Sequence, residues 1–391
     1  MYQLRYYQKE ASERGLAYFQ DPHQKKPVLM VISTGAGKSL VIADIAQKLN
    51  EPLCVFSPTK EILEQNYQKM LDFGIMGVTI YSASCNQKNI GNITLATIGS
   101  VYRKPNDFKV FKHFIVDECD TINPKGGMYK SFIDAVGGKY IGLTATPYRM
   151  SVDGFGGTKM KFLTRTNPRV FSKVIHVTQT KELSDQGFLA QTEYFQINGF
   201  NRSEIKLNST QADYLESSER EYYDKTEFSK RIIKVVNRLL EIGKTRILVF
   251  TKFVEEAREL SNQLGDCTAI VHCEMKARER DAIVKGFKAG EIKVVLNVGI
   301  LTIGFDYPEL EVVVMARPTR SLRLYYQTAG RCLRPHPSKG NAMIIDLCGN
   351  YSIFGRVEDM QLVERGGENL WCVMSKGKQL TNVYLDQIMK D

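Results

Sequence analysis

The chain contains 391 residues, 43% of them hydrophobic, which is enough to fill more than one domain core. Its 53 Lys and Arg exceed its 43 Asp and Glu, so it carries a net charge of +10, which is compatible with a polyanionic partner without requiring one. The eight cysteines form no Cys-x-x-Cys pair and no apolar run is long enough to span a membrane, so we expect a soluble cytoplasmic protein without a zinc ribbon.

In the first half of the chain, short apolar runs alternate with stretches that are compatible with helices. Strands are predicted at Val28–Ser33, Leu53–Ser57, Ile93–Ala96, Phe114–Val116 and Tyr140–Leu143, with helices at Leu40–Leu49 and Lys60–Phe73. Nearly continuous apolar strands separated by helices are typical of a parallel sheet that is covered on both faces. The first half is therefore expected to form an α/β domain over residues 1–194.

The second half repeats this pattern. Strands are predicted at Ile247–Phe250, Ala269–Val271, Val294–Asn297, Val312–Met315 and Met343–Ile345, with helices at Glu255–Leu264, Ala277–Phe287 and Leu322–Leu333. We expect a second α/β domain over residues 195–350, since each half is too short for a barrel.

Three segments do not show this alternation of predicted strands and helices. Residues 151–175 include the Gly-rich and basic run Ser151–Arg169, which predicts a loop or hairpin insertion. Asn201–Arg238 is highly charged with helical spacing and predicts an exposed connecting helix. Residues 351–391 fit neither domain and are expected to form a small C-terminal appendage.

The run "STGAGKS" follows the first predicted strand and opens a helix. Gly35 and Gly37 would let the backbone N–H groups of Thr34–Ser39, Ala36 included, point at phosphates, Lys38 would reach the β- and γ-phosphates, and the Ser39 hydroxyl would bind Mg²⁺. Ile32 stands where the usual phosphate-loop pattern has its first Gly, so a plain Gly turn before a helix is the alternative.

The run "FIVDECD" ends a predicted strand with three carboxylates. Asp117 could hold Mg²⁺ through water while Glu118 polarises the attacking water. An Asp-Glu pair after a strand is usually only a solvated strand end. Its occurrence after a strand, Gly-Lys-Ser and helix is much rarer, and together the two runs predict a Mg²⁺-ATP site.

The motifs together resemble those of superfamily 2 helicases of the DEAD/DEAH type. "LRYYQ" resembles the adenine-reading element, "STGAGKS" motif I, "DECD" motif II, "TAT" at residues 144–146 motif III, "NVGILTIGFD" motif V and "QTAGRCLR" motif VI, in the family's order. Among these helicases, the motif sequences most resemble those of RadD-like helicases and of phage branch-migration helicases such as UvsW. Asp120 departs from the RadD-like pattern, which has His at that position.

The resemblance implies two tandem RecA-like domains with an ATP cleft between them. Arg5 and Gln8 would then read adenine, and Gln327 would order the attacking water. Gly304 and Asp306 would face the nucleotide. Arg331 and Arg334 lie three positions apart on a predicted helix, so we expect them to share a face and to clamp the γ-phosphate.

The resemblance also implies a nucleic-acid path that holds phosphates without reading sequence. Its predicted contacts are Pro58, Thr59, Thr97, Ser100, Thr251 and Thr302, although each hydroxyl could equally be a cap or turn residue. Lys159, Lys161, Arg165 and Arg169 of the insertion could touch duplex phosphates or simply form a solvated face.

These residues indicate an ATP- and Mg²⁺-dependent DNA helicase or translocase that acts on single-stranded, forked or branched DNA in repair, recombination or replication. We expect it in the cytoplasm of a bacterium or a phage-infected cell. An RNA helicase, the motor subunit of a restriction-type complex and a non-catalytic ATP-switched clamp remain as alternatives.

Overall fold

A computed structural model describes residues 3–153, 157–302, 304–367 and 369–389. Residues 154–156 of the predicted insertion, residue 303 of motif V and residues 368, 390 and 391 of the C-terminal segment lie outside the described residues. The described residues form two compact units. Unit 1 comprises Met1–Arg149, Lys161–Gln179 and Leu362–Cys372, and unit 2 comprises Met150–Met160, Thr180–Gln361 and Val373–Asp391. No helix within the described ranges has the length and apolar character needed to cross a membrane.

The elements are numbered in chain order. The helices are α1 Tyr6–Gln20, α2 Lys38–Leu49, α3 Lys60–Asp72, α4 Ile98–Val101, α5 Met128–Val136, α6 Thr180–Asp185, α7 Glu216–Lys225, α8 Phe228–Glu241, α9 Val254–Leu264, α10 Ala277–Ala289, α11 Leu322–Ala329, α12 Asn350–Phe354 and α13 Leu385–Met389. The strands are β1 Val28–Val31, β2 Leu53–Phe56, β3 Val78–Ser82, β4 Gln87–Lys88, β5 Ile93–Ala96, β6 His113–Asp117, β7 Lys139–Thr144, β8 Tyr148–Val152, β9 Thr158–Phe162, β10 Lys173–Val177, β11 Thr192–Gln196, β12 Ile247–Thr251, β13 Thr268–His272, β14 Val294–Val298, β15 Val312–Met315, β16 Ala342–Asp346, β17 Gln361–Glu364, β18 Trp371–Ser375, β19 Lys378–Gln379 and β20 Val383–Tyr384.

Unit 1 is built on an eight-stranded sheet in the order β10-β1-β7-β6-β2-β5-β3-β4. Its pairs are parallel apart from β3 with β4. The central strands are buried along their whole length, as their unbroken apolar sequences require. The five strands predicted in this half are confirmed. Strands β3, β4 and β10 were missed.

The core of unit 1 is rich in aromatic side chains. The rings of Phe114 and Tyr140, on neighbouring strands, stack with centroids 4.5 Å apart, and Phe56 meets Phe132 of α5 edge to face. Such aromatic pairs contribute about 0.5–1.5 kcal/mol beyond the burial of their surface. They fix β2, β6 and β7 side by side, so that the loops after these strands emerge at one edge.

Unit 2 is built on a parallel six-stranded sheet in the order β11-β16-β15-β12-β14-β13. The five strands predicted for this half are confirmed, and β11 was missed. The predicted domain boundary between residues 194 and 195 falls inside β11, which pairs with β16 along its whole length. Both units are therefore mixed α/β with parallel sheets, as predicted.

The prediction of an exposed connecting helix at Asn201–Arg238 is wrong. The segment contains two separate helices, α7 and α8, and α8 buries Phe228, Ile232 and Val236 in the core of unit 2. These residues recur every four positions, so α8 is amphipathic and packs one face inward. The many charges of the segment occupy its other face and concealed this pattern.

The other two unusual segments divide differently from the prediction. Two short strands, β8 and β9, form the predicted hairpin with the three-stranded order β20-β9-β8, whereas residues 173–175 belong to β10 and pair with β1. The described part of 351–391 contains α12, α13 and β17–β20, with a second small sheet in the order β17-β18-β19. Its residues are shared between the two units rather than forming a third one.

Candidate functional site

The Gly-rich loop after β1 has the backbone that a phosphate cradle needs. Gly35 and Gly37 have φ values of 81° and 86°, a region that favours glycine, and α2 begins at Lys38. A Cβ built at Gly37 would lie 2.5 Å from Nε2 of Gln8. Ile32, in place of the missing first Gly, is fully buried. The loop therefore keeps its shape without that glycine.

The first helix packs directly against this loop. Gln8 donates from Nε2 to the carbonyl oxygen of Ala36 at 2.8 Å, and the hydroxyl of Tyr7 donates to the same oxygen at 3.1 Å. Oε1 of Gln8 accepts a hydrogen bond from the backbone N–H of Arg5 at 2.9 Å. The structure thus brings Gln8 to the phosphate loop, while adenine recognition by Arg5 and Gln8 remains a prediction.

Lys38 and Glu118 meet at the carboxyl edge of the sheet. Nζ of Lys38 lies 2.9 Å from Oε1 of Glu118, and both side chains are largely buried. Glu118 has a φ of 51°, which is uncommon for a residue with a side chain and often marks a functional site. Its second oxygen, Oε2, is buried and finds no hydrogen-bond partner within the described residues.

Asp117 ends β6 and is 2% exposed. Its Oδ1 accepts from the backbone N–H of Glu118 at 3.0 Å, and its Oδ2 accepts from Nδ2 of Asn66 at 3.1 Å. Burial raises the pKa of this carboxyl to about 6, with the charge of Glu118 adding to the rise and Lys38 opposing it. A nearby cation would favour the ionised form.

The acidic residue that departs from the RadD-like pattern has clear partners. Asp120 is buried, and its two oxygens accept hydrogen bonds from the hydroxyls of Thr144 at 2.9 Å and Thr146 at 3.3 Å. The backbone N–H of Thr146 also donates to the Thr144 hydroxyl at 3.0 Å. The run of acids is therefore joined to the end of β7. The spacing Thr-x-Thr at residues 144 and 146 is visible in the sequence, but nothing in the sequence identifies Asp120 as the acceptor of these hydroxyls.

The residues present fit a Mg²⁺-nucleotide. Asp117 and Ser39 offer the oxygen ligands that Mg²⁺ prefers, and Mg²⁺ usually combines one or two carboxylates with phosphate oxygens of the substrate. The positive φ values of Gly35 and Gly37 are typical of a loop that presents N–H groups to an anion before a helix. Lys38 supplies a positive charge at the same place.

In unit 1 the predicted nucleic-acid contacts follow β2 and β5 at the same edge. Pro58 follows β2, and Thr59 is the N-cap of α3, where its hydroxyl accepts from the N–H of Ile62 at 3.3 Å. The hydroxyls of Thr97 and Ser100 lie 2.9 Å apart. These residues thus have local structural roles, and contact with a strand remains a prediction for each.

In unit 2, Thr251 ends β12 and Thr302 lies in the loop after β14. Both are buried, and no described atom forms a hydrogen bond with the Thr251 hydroxyl. Asn297 of β14 accepts hydrogen bonds at Oδ1 from the N–H groups of Ile300 and Leu301, at 3.2 and 2.9 Å. Asn297 therefore shapes the loop that carries Thr302, a role that sequence reasoning missed.

The helix that was predicted to carry both Arg331 and Arg334 ends before either of them. Helix α11 ends at Ala329, Arg331 lies in a 3₁₀ turn, and Arg334 precedes a proline, which disfavours helical backbone. Arg331 donates from Nε to the carbonyl of Gln327 at 3.1 Å and from Nη1 to that of Phe305 at 2.7 Å.

Gln327 itself is buried on α11. Arg334 pairs with Asp306, and Gly304 nearby in the chain has a φ of 78°. Within unit 2 the structure thus joins Arg331 to Gln327 and Arg334 to Asp306, without the predicted helical register.

The four basic residues of the insertion do not form one surface of equal exposure. Lys159 and Lys161 alternate with buried residues along β9, and Lys159 lies 4.0 Å from the ring centroid of Tyr384. Arg165 and Arg169 are exposed. Only the two arginines have the exposure that a solvated contact surface would require.

Two family models match the chain. Residues 1–149 match the model described as type III restriction enzyme, res subunit, and residues 230–336 match the helicase conserved C-terminal domain. The first covers the elements from α1 to β8, and the second covers α8 to the turn after α11. Both matches include the motifs described above.

Individual relatives agree with these models. The chain is 27% identical over 334 residues to a 51.5 kDa protein of a Lactococcus phage, covering 82% of the chain and 65% of the relative. It is 23% identical over 349 residues to the ATP-dependent RNA helicase DBP3 of Candida albicans, covering 81% and 55%. The chain thus spans between about half and two thirds of the length of these curated relatives.

Among solved structures, the ATP-dependent type ISP restriction-modification enzyme LlaBIII bound to DNA matches with a TM-score of 0.64. The match has 17% identity and covers 88% of this chain and 27% of that one. At this identity the likeness concerns the fold alone.

Proposed function

The chain belongs to the superfamily 2 helicases, and from this premise we propose that it is an ATP- and Mg²⁺-dependent DNA helicase or translocase. It would couple ATP hydrolysis to movement along DNA, with single-stranded, forked or branched DNA as its substrate in repair, recombination or replication. Its place of work would be the cytoplasm.

The observation that carries this proposal is the meeting of Lys38, Glu118 and Asp117 at the carboxyl edge of one sheet. A bound Mg²⁺ would neutralise charge on the phosphates. Lys38 would exchange its ion pair with Glu118 for the β- and γ-phosphates. Glu118, released from Lys38, would accept a hydrogen bond from the attacking water and polarise it.

We assign the remaining roles by the same reasoning. Arg331 and Arg334 would stabilise charge that develops on the γ-phosphate, and Gln327 would order the attacking water. Asp306 and Gly304 would face the nucleotide. The joined hydroxyls of Thr144 and Thr146 would couple the acidic run to the nucleic-acid contacts rather than carry chemistry.

Several observations support DNA as the polymer. The chain has a net charge of +10, and its first 149 residues match a family described by a restriction enzyme. The LlaBIII structure of the same fold is bound to DNA. Because the RNA helicase DBP3 is also a relative, RNA is the competing substrate and belongs in the test.

ATPase assays of the purified chain would test the function. Turnover is measured with matched DNA and RNA oligonucleotides, and then with single strands, duplexes, forks and four-way junctions. The proposal predicts stimulation by DNA above RNA and unwinding or remodelling of forks and junctions. Stronger stimulation by RNA would reassign the substrate, and the absence of any polymer-dependent turnover would contradict the helicase assignment.

The family model of residues 1–149 favours one second candidate, the motor subunit of a restriction-type complex. Such a subunit would depend on partner subunits for its movement on DNA. Displacement of a triplex-forming strand by the purified chain alone would exclude that dependence. ATPase activity without displacement, restored by a partner, would favour it.

A further inference from the structure

Asn66 is a buried polar residue that no motif assignment includes. It lies in the second turn of α3 with no exposed surface. Its Nδ2 donates to Oδ2 of Asp117 and to Oγ of Ser57, both at 3.1 Å. The amide therefore spans from a helix to the carboxyl ends of β2 and β6.

Local structure alone does not account for this amide. Its Oδ1 is buried and has no hydrogen-bond partner among the described residues. An orphaned buried acceptor costs about 1–3 kcal/mol, and native proteins tolerate few of them. An apolar side chain of similar size would fill the position without that cost, so the benefit of Asn66 must lie in its donor.

The donor acts on one particular oxygen. A carboxylate only accepts hydrogen bonds, so the amide nitrogen is the end of Asn66 that must face Asp117. With Glu118 N–H on Oδ1 and Asn66 on Oδ2, each oxygen of Asp117 has one fixed donor. The plane of the carboxylate is thereby held, and each oxygen keeps lone-pair capacity for a water or an ion.

We propose that Asn66 is a positioning residue, which orients the Asp117 carboxylate toward nucleotide-bound Mg²⁺. The inference rests on the proposed function, since it names a residue for the same site. Partners that orient a metal-binding group typically change metal affinity by about 10–100-fold when removed. Asn66 reaches Mg²⁺ only through Asp117 and is not a ligand itself.

Its place on α3 adds a consequence for the motor. The same helix begins at the N-cap Thr59, a predicted nucleic-acid contact seven positions before Asn66. Seven residues of α-helix rise about 10 Å. One rigid element thus carries both a strand contact and the group that holds Asp117.

The test compares Asn66→Leu with Ser57→Ala. Asn66→Leu keeps the branched shape of the side chain and removes the donor, whereas Ser57→Ala removes the other partner of Asn66 and leaves the bond to Asp117. Binding of a fluorescent ATP analogue is titrated with Mg²⁺, and thermal unfolding is recorded for each protein with and without Mg²⁺.

We expect Asn66→Leu to raise the Mg²⁺ concentration for half-maximal binding by about tenfold. Metal-free binding of the analogue should be unchanged, and Ser57→Ala should remain within about threefold of the parent. A Mg²⁺ midpoint for Asn66→Leu within twofold of the parent would overturn the role of Asn66. If the parent itself shows no Mg²⁺-dependent binding, the proposed function falls as well, which separates the two failures.

Discussion

The carboxyl edges of the two sheets hold their functional side chains in different ways. In unit 1 the partners are side chains of opposite character, as in Lys38 with Glu118 and Thr144 with Asp120. In unit 2, Arg334 also pairs with the side chain of Asp306, whereas Arg331 is bound to backbone carbonyls of its own unit. Side-chain pairs can exchange partners with small rotations, whereas a guanidinium on two carbonyls is fixed by the loop around it.

This difference has a consequence for the proposed cycle. In the proposed cycle, nucleotide phosphates would replace the ion pair that Lys38 forms with Glu118 in unit 1. To contact a nucleotide, Arg331 would instead have to weaken its bonds to these two carbonyls. We therefore expect Glu118→Gln to lower hydrolysis with little change in thermal stability, and substitution of Arg331 to lower both hydrolysis and stability.

The largest expected effect is in unit 1, at Glu118. Glu118→Gln should lower ATP hydrolysis by about 10²–10⁴-fold, because an amide cannot accept the proton of the attacking water. Nucleotide binding should persist, since Lys38 remains. Lys38→Ala should lose both binding and turnover. Equilibrium binding of a fluorescent nucleotide and steady-state hydrolysis measure the two effects.

The control for this pair is Glu64→Gln, an exposed carboxylate on α3 that forms a surface ion pair with Lys60. It should hydrolyse ATP at the parent rate. Hydrolysis at the parent rate by Glu118→Gln would show that Glu118 does not activate water.

The next effect is in unit 2. Arg331→Ala should impair hydrolysis by roughly 10³-fold if the guanidinium stabilises transition-state charge. Because two carbonyls lose their donor, thermal stability should fall as well, unlike that of Glu118→Gln. Hydrolysis and thermal unfolding are measured on the same samples.

Arg278→Ala, at an exposed position of α10, is the matched control and should change neither quantity. A loss of stability in Arg331→Ala without loss of hydrolysis would give Arg331 a purely structural role.

The next prediction compares the effects on stability of substituting a core residue and a surface residue of unit 2. Ile232→Ala in α8 should lower the free energy of unfolding by about 2–5 kcal/mol, because the side chain is fully buried. The exposed neighbour Lys234→Ala should change it by less than about 0.5 kcal/mol. Denaturant titration measures both. If both variants changed the free energy of unfolding by the same small amount, the result would support the exposed helix that the charges of this segment suggested.

The sequence predicted what depends on local patterns. The unbroken apolar runs identified the central strands. The loops after β1 and β6 contained the glycine, lysine and carboxylate residues that a Mg²⁺-nucleotide site needs. Four strands of the two main sheets, β3, β4, β10 and β11, were missed, because sheet edges and mixed sequences give weaker patterns. The end of α11 was also missed, since Leu333 continued the apolar spacing although backbone geometry before Pro335 did not allow a helix.

Partners that are distant in the chain could not be predicted. Asn66 and Asp117 are 51 positions apart, and only the order of β2 and β6 in the sheet brings them together. The same is true of Asp120 and Thr144, which are 24 positions apart. The sequence shows which residue types a site contains. The hydrogen bonds between these residues follow from the order of the strands in the sheet.

The smallest expected effect concerns the insertion. Replacing Lys159, Lys161, Arg165 and Arg169 by Ala should reduce unwinding of forks more than ATPase activity on single strands. Each lost duplex phosphate contact should lower the slope of log affinity against log salt concentration by about 0.9.

The structure sharpens this expectation, because Arg165 and Arg169 are exposed while Lys159 packs on Tyr384. The pair Arg165→Ala with Arg169→Ala should therefore account for most of the change in slope. Lys25→Ala with Lys26→Ala, an exposed basic pair outside the insertion, is the control for general loss of charge. Equal losses for the two pairs, or equal losses in the two assays, would leave the insertion as a solvated surface.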